Sequence, residues 1–268
     1  DTSKYNFIEL SIKRTFDQPT SIKLLYDSLL EEAHFLVSEN SFKNQIIHII
    51  VNNTIVNGNN KLEKISEDIK INSLILEIKF ICLNKSLIND ISKTFKKNNL
   101  KILNIYCSSY VKTVFYNKDL EAKNNYLFLD VGHNRTTVLF FKNFKLQFIN
   151  FISMGGNSIT KDISKVLKLS INYSEDLKIN FNYEKKNISS FENPFEHAKL
   201  SKEILKNNIS IDLLKQIIEA RISEIIELSV IQNNYFKKIY ELEKPNIIFI
   251  GNGSKVLSNN INLESKKT

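Results

Sequence analysis

The stretch from Tyr126 to Lys161, YLFLDVGHNRTTVLFFKNFKLQFINFISMGGNSITK, decides how the rest of the chain is read. Its apolar runs predict a strand ending near Asp130, a turn over Gly132-His133-Asn134-Arg135-Thr136-Thr137, and two further strands. Ser153-Met154-Gly155-Gly156 then opens a helix. A tight turn just after a buried strand end presents backbone N–H groups in a nest, which suits phosphate oxygens. Asp130, at that strand end, is placed to hold a metal ion or its water. Gly155 and Gly156 allow a second close approach of backbone, and the helix start after them favours anions.

Working outward, further pieces follow in order: Glu175-Asp176-Leu177-Lys178, then Ile217-Ile218-Glu219-Ala220-Arg221-Ile222-Ser223-Glu224-Ile225, then Ile248-Phe249-Ile250-Gly251-Asn252-Gly253-Ser254. With Leu129-Asp130-Val131-Gly132, Thr136 and the Met154–Ile163 string, this ordered set resembles the FtsA family, actin-like proteins that tether FtsZ filaments to the membrane in bacterial division. Any one piece alone is weak; their order and spacing carry the resemblance. It implies an α/β fold of the actin-like ATPase (ribonuclease H-like) class with an inserted small α+β (SHS2-type) subdomain. It also implies ATP with Mg²⁺ as cofactor, self-assembly into polymers, and binding of the FtsZ C-terminal tail. The cytoplasmic face of the inner membrane at the division site is the implied location.

Composition sets bounds around this. With 268 residues, 42% of them hydrophobic, the chain can bury the cores of two or more compact units. Three prolines and six glycines argue against a linker-rich chain. No apolar run approaches the ~20 residues that span a bilayer, and no signal-peptide pattern opens the sequence. Cys82 and Cys107 are too few for a disulfide framework, so the chain reads as cytoplasmic. A net charge of +8 raises nucleic acid as a partner, but the lysines are spread evenly among Asn and Ile. No Arg-rich helix or aromatic–basic interleaving supports that partner, and none is expected. Asp1 and Thr268 both read as cuts, so the expectation is a fragment that lacks the family's first phosphate turn, its second crossover and its membrane-targeting helix.

Residues 1–84 read as strand (Tyr5–Ile12), helix introduced by Pro19-Thr20, and two strands (Ile46–Val51, Leu74–Leu83). That is the SHS2-type pattern. Residues 85–124, the remainder of the first lobe, read as an amphipathic helix with Leu87, Ile88, Ile91 and Phe95, a strand Ile102–Tyr106, and a helix Tyr110–Tyr116 capped by Ser108-Ser109. Residues 125–268 form the second lobe, with a helical subdomain at about 165–242. It contains a helix Tyr173–Phe181, an irregular polar stretch Lys185–Asn208, and one long helix Ile209–Tyr240 with Leu214, Ile218, Ile222, Ile225, Leu228 and Tyr235 inward. Pro245 ends that helix before a strand Asn246–Ile250.

Each candidate site residue has a plain reading beside the functional one. Asp130 and Gly132 suit an ordinary turn; by resemblance they and Thr136 belong to a phosphate turn, with Asp130 toward Mg²⁺. His133, Asn134 and Arg135 stand where the family has glycines and a hydroxyl, which crowds that turn. Gly155 and Gly156 suit a tight turn with Asn157 or Ser158 as helix cap. Glu175 and Lys178, three apart on a helix, suit a solvated ion pair; the resemblance places them against ribose and base. Gly251, Asn252 and Gly253 match a turn on which a purine lies flat against backbone. Arg221 suits an i,i+3 pair with Glu224, and by resemblance the two belong to the segment that receives the FtsZ tail. His34, His48, His133 and His197 join no catalytic grouping, and no catalytic residue is assigned. The implied protein is a nucleotide-binding scaffold, at most a weak ATPase. A PilM-like component of type IV pilus assembly, with the same fold and inserted unit, is the alternative.

Overall fold

In the computed structural model the chain forms two compact units, residues 1–120 with 145–147 and residues 121–144 with 148–268. Residues 5–58, 60–61, 69–121, 124–181, 209–231 and 234–256 are described.

The first unit is built on β1 (Tyr5–Ser21), α1 (Ile22–Asn40), β2 (Asn44–Val56), β3 (Asn60–Lys61) and β4 (Lys70–Asn84), in the sheet order β1-β4-β2-β3. Both neighbours of β4 run antiparallel to it, with Ile78 opposite Leu10 on one side and Val51 on the other. Period-two alternation sends Leu74, Leu76, Ile78 and Phe80 to one face, where α1 covers them with Ile22, Leu29, Ala33 and Val37. Removing each such side chain from water contributes about 1.5–3 kcal/mol.

Pro19 does not introduce the helix. It lies on the edge strand β1, at a register shift between Thr15 and Thr20, where a missing N–H costs no ladder bond. Helix α1 starts at Ile22 instead, with Ser21 at its cap.

α2 (Lys85–Lys97) follows β4 directly, its first turn closed by the Asn84 side chain accepting from the Ser86 N–H at 2.9 Å. The strand expected at Ile102–Tyr106 does not form, because no described strand lies beside it to complete a ladder. The Ser108-Ser109 cap is also corrected. α3 (Ser108–Asn117) begins two residues earlier than expected, with Cys107 as its cap. The Cys107 N–H donates to Nε2 of His48 at 2.8 Å, and that ring packs on Tyr106 and Tyr110. Burial holds the His48 imidazole below its ordinary range, which agrees with Nε2 acting as acceptor.

The second unit carries the sheet β7-β6-β5-β8, from β5 (Asn125–Val131), β6 (Thr136–Lys142), β7 (Lys145–Ile152) and β8 (Asn246–Ile250). Asn143 and Phe144 turn β6 into β7, both at positive φ as a two-residue hairpin requires. β5 pairs antiparallel with β6 and parallel with β8. The helices are α4 (Gly156–Leu167), α5 (Ile171–Asn180), α6 (Ile211–Ile226) and α7 (Asn234–Glu243). Leu127, Leu129, Val138 and Phe140 from the sheet meet Ile159, Ile163, Leu177, Leu214, Ile218 and Ile222 from the helices in one core.

The single long helix expected from Ile209 to Tyr240 is interrupted. A five-residue π-turn, Glu227–Ile231, separates α6 from α7, and Ser229 and Val230 are buried there while Leu228 is only half-buried. The Tyr235 side chain and the stretch Lys185–Asn208 lie outside the described residues. α7 ends before Pro245, with Lys244 at positive φ, as the sequence predicts.

Candidate functional site

Parallel pairing of β5 with β8 puts Asp130 opposite Ile250, so the segments that leave these strands emerge side by side at one edge of the sheet. Such an edge, at the carboxyl ends of parallel strands, is where open α/β sheets bind ligands. The turn 132–135 and the loop 251–253 meet there, and the start of α4 joins them.

Contacts between the three segments leave no room for side chains. Gly251 has φ +88°, and a Cβ on it would lie 2.4 Å from Oδ1 of Asp130 and 2.6 Å from the Val131 carbonyl oxygen. On Gly253 it would lie 2.7 Å from Val131 Cγ1 and 2.9 Å from the Gly132 oxygen. On Gly155 it would lie 2.5 Å from the Gly132 oxygen and 2.7 Å from that of His133. Asp130 is 6% exposed.

The hydrogen bonds explain the closeness. Gly132 N–H donates to the Arg135 oxygen at 2.8 Å and closes the turn. Gly156 N–H then donates to the Gly132 oxygen at 2.9 Å, and Asn157 N–H to the His133 oxygen at 2.7 Å. Two donors at the start of α4, expected to attract an anion, are therefore spent on the turn's own carbonyls. Neither Asn157 nor Ser158 caps the helix. Gly155 takes the cap position, and the Asn157 amide donates to Oδ1 of Asn134 at 2.9 Å. Thr136 is fully buried, its hydroxyl donating to the Met154 oxygen at 2.9 Å, so it ties β6 to the approach of α4.

Glu175 and Lys178 are not a solvated pair. Lys178 is 4% exposed, and its Nζ donates to Oε2 of Glu175 (2.7 Å), Oγ1 of Thr160 (2.8 Å) and the Gly156 oxygen (3.1 Å). All three donors of the ammonium are used. The Thr160 hydroxyl donates to the same Glu175 oxygen. Burial pushes the Glu175 carboxyl up, but the hydrogen bonds from Lys178 and Thr160 and the lysine charge outweigh it, and the carboxyl sits below its ordinary value. A Cβ on Gly156 would lie 3.4 Å from both Lys178 Nζ and Gly253 Cα, which joins this pair to the glycine cluster. Of the sequence candidates, Asp130, Gly132, Gly155, Gly156, Glu175, Lys178, Gly251 and Gly253 thus gather in one place. Asn252 is exposed on its loop. Thr160, read from the sequence with Gly155 and Gly156 as a helix start or a nucleotide contact, bonds to Glu175 and Lys178 instead, four residues after Gly156 on the face that meets α5.

Arg221 and Glu224 form a second cluster. The Arg221 fork is bidentate to Asp162 of α4, Nε to Oδ2 at 2.5 Å and Nη2 to Oδ1 at 2.9 Å, and Nη1 donates to Glu224 at 2.6 Å. The Asp162 hydrogen bonds lead in raising the guanidinium pKa, against burial. The i,i+3 pair read from the sequence is present, and the partner that dominates it, Asp162, was missed because it is 59 residues away.

No group of three or more His, Cys, Asp or Glu side chains suited to a metal occurs among the described residues. A Mg²⁺ ion needs few protein ligands when phosphate oxygens and water supply the rest, so the lone Asp130 carboxylate fits a metal that arrives with a nucleotide and not a resident ion.

The sequence model of the family described as "Cell division protein FtsA" matches residues 127–261. Cell division protein FtsA of Streptococcus pneumoniae serotype 2 is 29% identical over 143 residues, 53% of this chain and 31% of that protein. The Enterococcus faecalis FtsA is 31% identical over 147 residues, covering 54% and 33%. The chain spans about a third of the length of these relatives. A solved PilM–PilN type IV pilus biogenesis complex aligns with 96% of this chain and 62% of its own, with TM-score 0.51 and 11% identity. That likeness is one of fold, the actin-like ATPase fold. Since the matched segment makes up half of the sequence and holds the whole glycine cluster, the chain belongs to the cell division protein FtsA family.

Proposed function

We propose that this chain is part of a division scaffold that binds ATP with Mg²⁺ in an actin-like cleft, assembles with its own copies, and links FtsZ filaments to the cytoplasmic face of the membrane at the division site. The observation that carries the nucleotide reading is the meeting of three segments at their glycines beside the Glu175 pair of the buried Lys178. In this reading Gly251, Asn252 and Gly253 take the adenosine on backbone, and Glu175 and Lys178 hold ribose and base. Asp130 and Gly132, braced from below by Thr136, face the phosphates and their Mg²⁺. Residues 1–84 are proposed as the SHS2-type subdomain. Among the described residues no helix is long and apolar enough to cross a membrane.

Titration with a fluorescent N-methylanthraniloyl-ATP in the presence of Mg²⁺ tests it. Saturable binding that plain ATP displaces is expected. Gly156→Ala is expected to fold, since its added methyl meets nothing closer than 3.4 Å, yet to weaken binding at least tenfold by narrowing the space between Gly253 and Lys178. No saturable signal from the unaltered chain would remove ATP from the proposal.

The partner reading rests on Arg221 and Glu224. A labelled FtsZ C-terminal tail peptide is expected to bind, and Arg221→Ala to abolish the anisotropy change. Circular dichroism separates lost contact from lost fold, because Arg221 also braces α4. Nucleotide binding without tail binding would favour the PilM-like alternative, for which the present likeness supports the fold alone.

A further inference from the structure

The Arg221 guanidinium is almost wholly committed inside the second unit. Of the five N–H donors of an arginine fork, Nε and one on Nη2 go to the two oxygens of Asp162. One on Nη1 goes to Oε2 of Glu224, and the other Nη1 donor faces Sδ of Met154 at 3.8 Å. A single donor on Nη2 is left over. The edge of the fork that recognises a carboxylate with two parallel bonds, Nε with Nη2, is the edge that Asp162 fills. Two carboxylates also face one cation, so the cluster is net negative. An acidic segment that approaches it meets repulsion and an occupied fork.

The cluster is nevertheless open to exchange. The side chains of Arg221, Asp162 and Glu224 are 22%, 28% and 45% exposed, so one bond can replace another without stranding a charge in an apolar core. Lys165 lies one turn beyond Asp162 on α4, is exposed, and is paired with no described residue. Three residues apart is the spacing at which opposite charges meet on a helix surface.

The structure assigns Asp162 as an internal competitor for Arg221: it fills the bidentate edge in the free chain, and an acidic peptide engages that edge only by taking its place. This rests on the partner reading above and adds the residue that sets its affinity. A released Asp162 has Lys165 to turn to, so both states of the fork satisfy their charges. A peptide carboxylate that used only the spare Nη2 donor would leave the internal pair intact, and its affinity would not depend on Asp162. Opening also has a structural cost, because the bond that Asp162 gives up is the one that ties α4 to α6.

Anisotropy of the labelled FtsZ tail peptide is measured on the whole chain and on Asp162→Asn, which keeps the size of the side chain and removes its charge. Binding about five- to tenfold tighter is expected, because Arg221 no longer has to be released first. Asp212→Asn, the same change of charge in the first turn of α6 with no bond to Arg221, is expected to leave the affinity as it was. Adding Arg221→Ala to Asp162→Asn is expected to remove the gain, as is a peptide whose carboxylates are replaced by amides. The unaltered chain gives a readout that needs no variant to fold: saturating peptide is expected to quicken hydrogen exchange along α4 and slow it along α6 near Arg221. A folded Asp162→Asn that binds no tighter than a parent that does bind overturns the inference and leaves the partner reading standing. An equal gain from Asp212→Asn, a gain that survives loss of Arg221, or unchanged exchange along α4 overturns it as well. Absence of binding by both chains removes the partner reading and this inference together.

Discussion

Gly155→Ala is expected to unfold the second unit at denaturant concentrations the unaltered chain withstands, with a loss of about 3–4 kcal/mol. Backbone conformation is not the cause, since Gly155 sits at φ −161°, which any residue adopts. The cause is space. The new Cβ would stand 2.5 Å from the Gly132 oxygen, 2.7 Å from the His133 oxygen and 2.8 Å from the Arg135 nitrogen, all backbone atoms. No side chain can rotate away to relieve this. To regain a normal contact the turn must move by about 1 Å, and the bonds from Gly156 and Asn157 N–H to that turn break with it. The neighbouring Gly156→Ala is the internal control, because its methyl meets nothing closer than 3.4 Å and alanine favours a helix by roughly 1 kcal/mol over glycine. Urea midpoints of the two variants decide the matter. If Gly155→Ala unfolds within about 1 kcal/mol of the parent, the turn is mobile and the three loops are not a rigid unit.

What the sequence showed of this cluster, and what it hid, follows from the range of the interactions. Asp130, Gly132, Gly155 and Gly251 were legible because strand ends and glycine turns are local signals, and parallel β–loop–α order then brings them to one edge. The buried state of Lys178 was not legible. Three residues from Glu175 on a polar-looking helix, it has the local pattern of a surface pair, and only the packing of α5 against the start of α4 removes it from water. Arg221 repeats the lesson, since Glu224 is local and Asp162 is not. Helix and strand limits failed where local propensity met a tertiary condition. Ile102–Tyr106 has strand composition and no ladder, and Pro19 has a helix-start signature but sits at a bulge on an edge strand where it costs nothing. The π-turn at Glu227–Ile231 breaks a pattern whose apolar spacing runs on unbroken in the sequence.

Lys178→Met is the second substitution with a large expected effect, and its pH dependence separates an electrostatic role from simple packing. Methionine fills the same space but donates nothing, so the Gly156 carbonyl, the Thr160 hydroxyl and the Glu175 carboxylate all lose their partner. Breaking one side of a buried pair costs about 3–5 kcal/mol. The Glu175 side chain is 34% exposed and recovers part of its solvation, so about 2–3 kcal/mol at neutral pH is expected here. In the parent the Glu175 carboxyl is held below its ordinary value, so the stability it supplies is present above the ordinary Glu range of about 4.3 and is lost as pH falls through the lowered value. In the variant the lysine's pull is gone, and burial, the largest cause, is opposed only by the Thr160 hydrogen bond and the His133 charge, so the carboxyl sits higher than in the parent and supplies less stability at neutral pH. The stability gap between parent and variant is therefore widest near pH 7 and closes on acidification toward about pH 3. Adding Glu175→Gln to Lys178→Met removes the stranded charge and is expected to restore about 1–2 kcal/mol. Urea midpoints of the parent, both singles and the double at neutral and acid pH measure this. A gap that stays constant with pH, with no recovery in the double, would reduce Lys178 to a space-filling residue, and its buried charge would no longer support a cleft built to hold an anionic ligand.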